Sequence, residues 1–467
     1  MMETAALSET KRRLFEALSR GESAAVRSDI ARRPNSDGAP LGASQEEVCR
    51  RSIWAADAPS PYNESITVYR EGALDVAILE RCFAEILRRH EAWRTSFRME
   101  DGNLVQAIAA PPQNASIPVV DLRDLAPELR TEEFERQCSD RAQQPFDLER
   151  GPLIRTSLFR FGDASYRIAI VAHQSVIDGV SMYQVLPSEL SSLYEAFSAG
   201  KASPLPELPL QYADFCAWQR RWLGDGNREK QIGFWKTKLD QLSTERDRQI
   251  RETYRGKIRS FEVPATCTAA IRDLVRRERV TLFTALLAGF AALRSHVTEM
   301  SDILVATLSP SGRKRLETQK LLGYFLNPVA LRFEFAADTT FKDLLHQART
   351  LIGEAISNDD VPLEQVGKAL NIDSGRDPFV KVAISLQPRV PSLPGWDVTS
   401  MDAQNGGSVW DLYLAFIERG DALAGRAQFN PDIFTDGAIQ SALHHLWRLL
   451  ANAATDPAAS VRELLER

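Results

Sequence analysis

Histidine and cysteine, which most metal sites and many catalytic sites require, are scarce in this chain of 467 residues: it has six histidines and five cysteines. No HExxH motif and no Cys/His cluster occurs, which argues against a zinc enzyme. The GxGxxG and P-loop patterns of nucleotide-binding proteins are missing as well. The cysteines are odd in number and widely spaced, a pattern that predicts free thiols in a reducing cytoplasm.

Long apolar runs and an excess of positive charge are also lacking. No apolar run reaches the roughly 18 residues that span a bilayer, and the N-terminus shows no basic segment followed by an apolar one, as a signal peptide would. The formal net charge of -6 argues against a general nucleic-acid binder, which carries a basic face. We therefore expect a protein without membrane or nucleic-acid partners, and a monomer.

Helix and strand patterns occur in both halves of the chain, which predicts an α/β fold with two lobes. An amphipathic helix pattern at residues 8–20 precedes a polar linker, and it is either a frayed arm or a docking element for an upstream protein. Pro187 lies inside the helix pattern of Val180–Phe197 and should kink that helix or delay its start. The expected divisions are residues 1–40 for the arm and linker, 41–212 for an N-terminal lobe, 213–239 for a connector and 240–467 for a C-terminal lobe.

The most informative segment is an apolar strand pattern that ends in polar residues. The pattern covers residues 166–172, and His173 and Gln174 follow it directly. Asp178 and Gly179 come next, at the start of a helix pattern. A rigid sheet fixes the first polar side chains beyond its strands, so these positions are well placed for function. The backbone N–H of Gly179, at a helix start, is suited to face a developing negative charge, and a side chain there would block close approach.

The segment from His173 to Gly179 resembles the HHxxxDG signature of condensation domains from nonribosomal peptide synthetases, with one departure. Gln174 stands where that family has its second histidine, the residue usually given the catalytic role. Further segments resemble other motifs of the family in the family's order. They are residues 43–45 (the first motif, loosely), 89–97 (RHExLRTxF), 212–218 (YxDFAxW), 323–332 (GxFxNxxxxR), 360–364 (DxPxE), 375–379 (RxPL, loosely) and 430–434.

This resemblance implies two chloramphenicol acetyltransferase-like lobes in a V-shaped arrangement, with a tunnel between them. It also implies that two carrier proteins, donor and acceptor, present phosphopantetheine-tethered groups from opposite faces. An amine or hydroxyl of the acceptor then attacks the donor thioester, so the phosphopantetheine arms are substrates and no bound cofactor is needed. The site residues that the resemblance implies are His173, Gln174, Asp178 and Gly179, with Arg94 and Asn327 in structural support.

Separate roles follow for these residues. By the resemblance, His173 packs inward, and Asp178 holds its loop through a salt bridge to an arginine, for which Arg94 is the expected partner. The amide of Gln174 does not titrate near neutral pH and cannot act as a general base. Loss of such a base typically costs a factor of ~10²–10⁴ in rate. An α-amine, with a pKa of roughly 8, keeps some free base at neutral pH, so Gln174 is compatible with amide formation and disfavours ester formation.

Three interpretations of Gln174 stay open at this point. In the first, the chain is an active acyltransferase in which Gln174 positions the reactants. In the second, it is a condensation-like domain without that activity, which recruits a tailoring enzyme or a carrier protein; the Asp178-Gly179 pair that such relatives often lose is retained here. In the third, the same tunnel performs an altered reaction, such as dehydration, cyclisation or transfer to a free small-molecule acceptor.

Overall fold

The computed structural model describes residues 30–34, 38–54, 60–242, 253–372, 379–400 and 403–467. The expected arm helix at residues 8–20 lies outside these ranges, as does most of the segment at 375–379. The strands are β1 (Gly38–Pro40), β2 (Asn63–Glu71), β3 (Thr95–Glu100), β4 (Asn103–Ile108), β5 (Val119–Asp121), β6 (Ile154–Arg160), β7 (Ser165–His173), β8 (Lys257–Glu262), β9 (Asp302–Ser309), β10 (Asn327–Glu334), β11 (Val382–Leu386), β12 (Trp396–Ser400), β13 (Leu412–Arg419) and β14 (Ala422–Phe429).

The α-helices are α1 (Ala43–Trp54), α2 (Val76–Arg89), α3 (Pro127–Gln143), α4 (Leu186–Ser198), α5 (Tyr212–Trp222), α6 (Arg228–Lys238), α7 (Ala265–Glu278), α8 (Leu282–Thr298), α9 (Phe341–Ile356), α10 (Leu363–Ala369), α11 (Asp436–Thr455) and α12 (Val461–Glu466).

The first sheet has five strands in the order β12-β2-β7-β6-β5. Its central strand β7 pairs antiparallel with both β2 and β6. Every residue of β7 from Ile168 to His173 is buried, which explains why its sequence is an apolar run without alternation. The register pairs Asn63 with His173, so β7 ends where β2 begins. The polar residues beyond β7 therefore emerge at a fixed edge of the sheet.

The second sheet has six strands in the order β10-β9-β11-β13-β14-β8. Strand β11 pairs parallel with both β9 and β13, and the remaining pairs are antiparallel. Helix α8 belongs to the core of this half, and every residue from Thr284 to Leu293 is buried. A helix that is apolar on all sides is stable only inside such a core.

Strand β12 links the two halves of the chain. It follows the second half in sequence, but it pairs antiparallel with β2 at the edge of the first sheet, with Val398 opposite Val68. Val398 is buried in the core of the first half. The expected division at residue 240 did not anticipate this exchange, because the partner of an edge strand is not encoded in the strand's own sequence.

The helix after β7 has the interruption that Pro187 predicted. A π-helical turn spans Ser181–Val185, and the N–H of Leu186 donates to the carbonyl of Ser181. Helix α4 starts directly after this turn, with Pro187 in its first turn. Proline is tolerated there because an N–H at that position has no partner within the helix. The π-turn therefore starts the regular helix at a position that suits proline.

All five cysteines are buried free thiols, as the sequence predicted. Among the described residues, no single helix is both long enough and apolar enough to cross a membrane. Helices α7 and α8 together meet that test by length and composition, with a bend of 109° between them.

Candidate active site

A cavity of about 130 Å³ lies where the two halves of the chain meet. Gln174, Asp178 and Gly179 line it from the first half, and Asn327 lines it from the second. The structure therefore brings together four of the six residues that the sequence singled out. His173 and Arg94 are not part of this lining.

Gln174 occupies the first position after β7. Its backbone N–H donates to the carbonyl of Tyr62 at 2.8 Å, which anchors the short 3₁₀ turn Gln174–Val176 to the chain before β2. The side chain is half-buried and lines the cavity. Among the described residues it has no hydrogen-bond partner, so its amide is available to a bound molecule. That amide offers one acceptor oxygen and two N–H donors.

His173 packs inward, away from Gln174. It lines a separate cavity of about 470 Å³ instead of the first one. Its Nδ1 accepts from the N–H of Ser175 at 3.3 Å, and its Nε2 lies 3.0 Å from Oγ of Ser52, whose own hydroxyl donates to Val48. This network places the ring proton on Nε2. Burial lowers the pKa of His173 to about 3, so the imidazole is neutral near pH 7 and a poor base.

Asp178 is committed to a buried ion pair with Arg313. Nη2 and Nε of Arg313 donate to the two carboxylate oxygens at 2.7 and 2.9 Å. The backbone N–H groups of Ser181 and Phe325 donate to the same carboxylate at 2.7 and 3.3 Å. The side chain of Asp178 is 0% exposed and that of Arg313 is 5% exposed. A carboxylate with this set of donors holds the loop in place and has no free lone pair directed at a substrate.

The prediction that Arg94 forms a salt bridge with Asp178 was wrong. Arg94 donates through Nε to the carbonyl of Leu87 at 2.7 Å and through Nη1 to the carbonyl of Ala109. It therefore ties the end of α2 to the segment after β4, and it contacts no carboxylate of the site. Motif position pointed to Arg94, but the loop that faces Asp178 comes from the other half of the chain.

Arg313 was missed by sequence reasoning. It lies in the 3₁₀ turn Ser311–Lys314, directly after β9, and its Nη1 also donates to the carbonyls of Thr318 and Leu321 at 2.6 and 2.8 Å. One signal was present in the sequence: a cation follows a buried strand of the second half, as Asp178 follows a buried strand of the first half. The ion pair fastens the loop after β7 to the loop after β9.

Gly179 lies against residues of the second half of the chain. A Cβ atom at this position would be 2.6 Å from Oε1 of Gln387 and 3.3 Å from Cδ of Pro388. Gln387 extends from the end of β11, and its amide nitrogen donates to Ser385 and Tyr413 at 3.2 and 3.3 Å. Any larger residue at position 179 would have to displace this wall of the cavity.

Asn327 connects the walls of the cavity. Its Oδ1 accepts from the hydroxyl of Ser44 at 2.8 Å, and its Nδ2 donates to the carbonyls of Asp359 and Val361 at 2.7 and 2.8 Å. Asn327 is 1% exposed, so all three hydrogen bonds are buried. The residue thus holds α1 of the first half against β10 and the loop before α10.

The cavity combines three structural features. An unbonded amide lies beside a helix start that is kept free of side chains, and the loop between them is held by a buried ion pair. Among the described residues, no group of three or more His, Cys, Asp or Glu could hold a metal ion. The arrangement is suited to bind and orient polar reactants.

Comparisons with known proteins show the family of this chain. Residues 39–466 match a family profile described as Condensation domain. A linear gramicidin synthase of Brevibacillus parabrevis is 36% identical over 404 residues, which are 84% of this chain and 8% of that protein. The chain spans about a tenth of the length of this synthase and of a chondramide synthase of Chondromyces crocatus, and 43% of the length of a phosphinothricin tripeptide synthetase of Streptomyces viridochromogenes.

Solved structures share the fold across nearly the whole chain. The first condensation domain of the calcium-dependent antibiotic synthetase, in complex with a substrate analogue, gives a TM-score of 0.80 at 19% identity and covers 92% of this chain and 99% of that chain. The complex of the X-domain and OxyB from teicoplanin biosynthesis gives 0.78 at 23% identity, with 94% and 98% covered. The α/β fold expected from the sequence is therefore confirmed.

Proposed function

The chain belongs to the condensation-domain family of nonribosomal peptide synthesis, and on this premise we propose that it joins a carrier-bound acyl or peptidyl thioester to an amine acceptor. The donor and the acceptor both arrive on the phosphopantetheine arms of carrier proteins. The product is an amide, and the reaction needs no bound cofactor. The free buried thiols are consistent with a reaction in the cytoplasm.

One observation carries this proposal: Gln174, Gly179 and Asn327 line a single cavity between the two halves, and the Gln174 amide is unbonded among the described residues. Such an amide can accept a hydrogen bond from the attacking amine through its oxygen. It can also donate one to the carbonyl oxygen of the thioester. Positioning of this kind supplies a large part of the rate enhancement even where no histidine base acts.

In this proposal, Gly179 leaves space for the substrate, and it lies at the positive N-terminal end of a helix. The helix that begins there directs its N-terminal dipole toward the cavity, which favours the negative charge of a tetrahedral intermediate. The Asp178–Arg313 ion pair keeps the same loop in one conformation. His173 lines a separate cavity and Asp178 is fully hydrogen-bonded, so neither side chain is free to contact the reacting atoms. Both then act as positioning residues.

A second candidate function is recruitment of a tailoring enzyme or a carrier protein without condensation. The amide of Gln174 cannot accept a proton near neutral pH, which is the observation that favours it. The similar X-domain was solved in a complex with OxyB, so a domain with this fold can carry a protein partner. An altered reaction in the same cavity, such as dehydration or cyclisation, is a variant of the first proposal.

The test is a condensation assay read by mass spectrometry. A donor carrier loaded with acyl-phosphopantetheine and an aminoacyl acceptor carrier are mixed with the wild-type chain, with Gln174→His or with Gly179→Trp. Gly353→Trp is the matched control, because Gly353 has open space around it on the exposed side of α9. We expect product from the wild type and from the control, and none from Gly179→Trp.

Other results separate the two candidates. Product from Gln174→His alone would mean that the cavity is competent but that the native chain is not a condensation catalyst. In that case, if the immobilised wild-type chain retains an oxygenase that acts on carrier-bound amino acids, this result would support recruitment. Product from Gly179→Trp at the wild-type rate would place the reaction outside this cavity and refute the proposal.

A further inference from the structure

Helix α1 presents a second polar group to the cavity, the carboxyl of Glu47. The residues of α1 that line the cavity follow the spacing i, i+3, i+4 and i+7 and form one stripe of the helix. They are Ser44, Glu47, Val48 and Arg51. The neighbouring Gln45 donates from Nε2 to the carbonyl of Ser175 at 2.9 Å, so α1 is fixed directly to the turn that holds Gln174.

Glu47 shares a hydrogen bond with Glu364 of α10, which lies in the other half of the chain. Burial, and after it the contact with Glu364, together raise the pKa of Glu47 to about 8. Burial also opposes ionisation of Glu364, but the hydrogen bonds from Glu47 and Lys368 and the charge of Arg51 outweigh it and lower that pKa. These opposite shifts favour protonation of Glu47 over protonation of Glu364.

The charges around Glu364 explain this asymmetry. Lys368 and Arg51 lie 2.9 and 3.2 Å from its carboxylate oxygens, while Glu47 receives only their longer-range attraction. Two carboxylates in contact cannot both ionise at low cost, so the one without a direct cation stays protonated. Loss of its proton at higher pH is still feasible, because Arg51 and Lys368 together balance two negative charges.

Other ionisable groups of the cavity wall are committed elsewhere. Asp178 is held by Arg313, and Glu64 pairs with Arg426 at 3.2 Å. Burial raises the pKa values of the buried phenols above their ordinary value, so these groups stay protonated near neutral pH. These phenols are Tyr183, Tyr324 and Tyr413. Glu47 thus differs from all of these groups in being able to exchange a proton near neutral pH.

We propose that Glu47 accepts the proton that the attacking amine loses, the task that Gln174 cannot perform. This inference rests on the proposed function. The amine nitrogen forms a bond to the thioester carbonyl carbon, and its proton passes to the carboxylate of Glu47, directly or through one water. The C–S bond then breaks, and the proton returns from Glu47 to the departing thiolate. Atoms and charges balance without any further reactant.

This division of labour is chemically consistent. A general base is most effective when its pKa lies close to the working pH, because it is then both partly ionised and basic enough. An ordinary carboxylate is too weak a base for an amine, and an ordinary amide is not a base at all. Gln174 would orient the amine and Glu47 would receive its proton, so two residues share what one histidine does elsewhere in the family.

The experiment is a pH profile of kcat/KM for condensation with an α-amine acceptor, from pH 5 to pH 9. The acceptor amine has a pKa of roughly 8. If both the amine and Glu47 must lose a proton, the logarithm of the wild-type rate rises with a slope of two below that pH. Glu47→Gln should reduce the slope to one and lower the plateau by a factor of ~10²–10⁴.

Two further variants separate a chemical role from a structural one. Glu47→Asp keeps a titrating carboxyl and should retain the slope of two at a lower rate. Glu46→Gln is the matched control on the same helix, because Glu46 pairs with Arg50 and Arg220 and does not line the cavity. It should keep the wild-type slope and plateau.

The outcomes are distinct. A slope of two in Glu47→Gln, or an unchanged rate, would overturn the role of Glu47 and leave the proposed function standing. Absence of product from the wild-type chain with every donor and acceptor pair would overturn the proposed function, and this inference would fall with it.

Discussion

The ion pair between Asp178 and Arg313 gives the most direct stability prediction. Two charge-assisted hydrogen bonds, at 2.7 and 2.9 Å, join side chains that are 0% and 5% exposed. Arg313→Met removes one partner and leaves a buried carboxylate without its cation. Breaking a buried pair in this way costs about 3–5 kcal/mol. That is a large share of the ~5–15 kcal/mol by which a folded protein is stable.

A double-mutant cycle distinguishes Arg313 from Arg94 as the partner of Asp178. We expect Asp178→Asn and Arg313→Met to couple by about 2–3 kcal/mol, since each hydrogen bond between charged groups contributes roughly 1.5–3 kcal/mol. Arg94→Met alone should cost about 1–3 kcal/mol through its two lost hydrogen bonds to carbonyls. Its coupling to Asp178→Asn should stay within about 0.5 kcal/mol, because the residues share no contact.

Urea unfolding followed by tryptophan fluorescence measures these free energies. Hydrogen exchange adds a local reading, because the amides of Ser181 and Phe325 donate to Asp178 and should exchange faster in Arg313→Met. In Arg94→Met these two amides should keep their protection. A coupling between Asp178 and Arg94 as large as that with Arg313 would refute the assignment of the pair.

Three further predictions concern stability. The pKa of His173 in the folded protein, about 3, lies below the unfolded value of about 6.5. The stability that the neutral imidazole provides is therefore complete above pH 6.5 and is lost as the pH falls toward 3. Urea unfolding at pH 6.5 and pH 5 should show a smaller drop in the free energy of unfolding for His173→Asn than for the wild type. Asn327→Ala should lower the free energy of unfolding by at least about 2 kcal/mol, because three buried partners lose their hydrogen bonds, and an unchanged urea midpoint would contradict this. Val398→Asp should speed hydrogen exchange in β2, on the opposite half of the chain, and unchanged exchange there would contradict the pairing of β12 with β2.

Elements with strong local patterns were predictable from the sequence. The apolar run before His173 predicted a strand, and the resemblance of the motifs to the family implied that Gln174, Gly179 and Asn327 belong to one site. The same reasoning placed Pro187 at an irregular start of a helix, where the structure has a π-turn. Each of these inferences depends on residues that are close in sequence or on motifs that each span a few residues.

Contacts between distant segments were not predictable in the same way. Arg94 and Arg313 both lie near a turn, and the position of Arg313 after a buried strand is too weak a signal to show that it faces Asp178. The pairing of β12 with β2 and the contact of Glu47 with Glu364 could not be predicted for the same reason. Each contact joins two segments that are far apart in sequence, and neither segment indicates its partner. Side-chain ionisation depends on such contacts, so the raised pKa of Glu47 could not be inferred either.

The sequence by itself determined the fold class, the position of the site after a buried strand, and the absence of a titrating group at Gln174, because periodicity and side-chain chemistry are local properties. The tertiary structure alone decided which arginine neutralises Asp178 and that Glu47 and Glu364, from opposite halves of the chain, both line the cavity. These outcomes depend on which surfaces the two halves bring together and how much water they exclude, and burial and charge proximity arise only when the chain is folded.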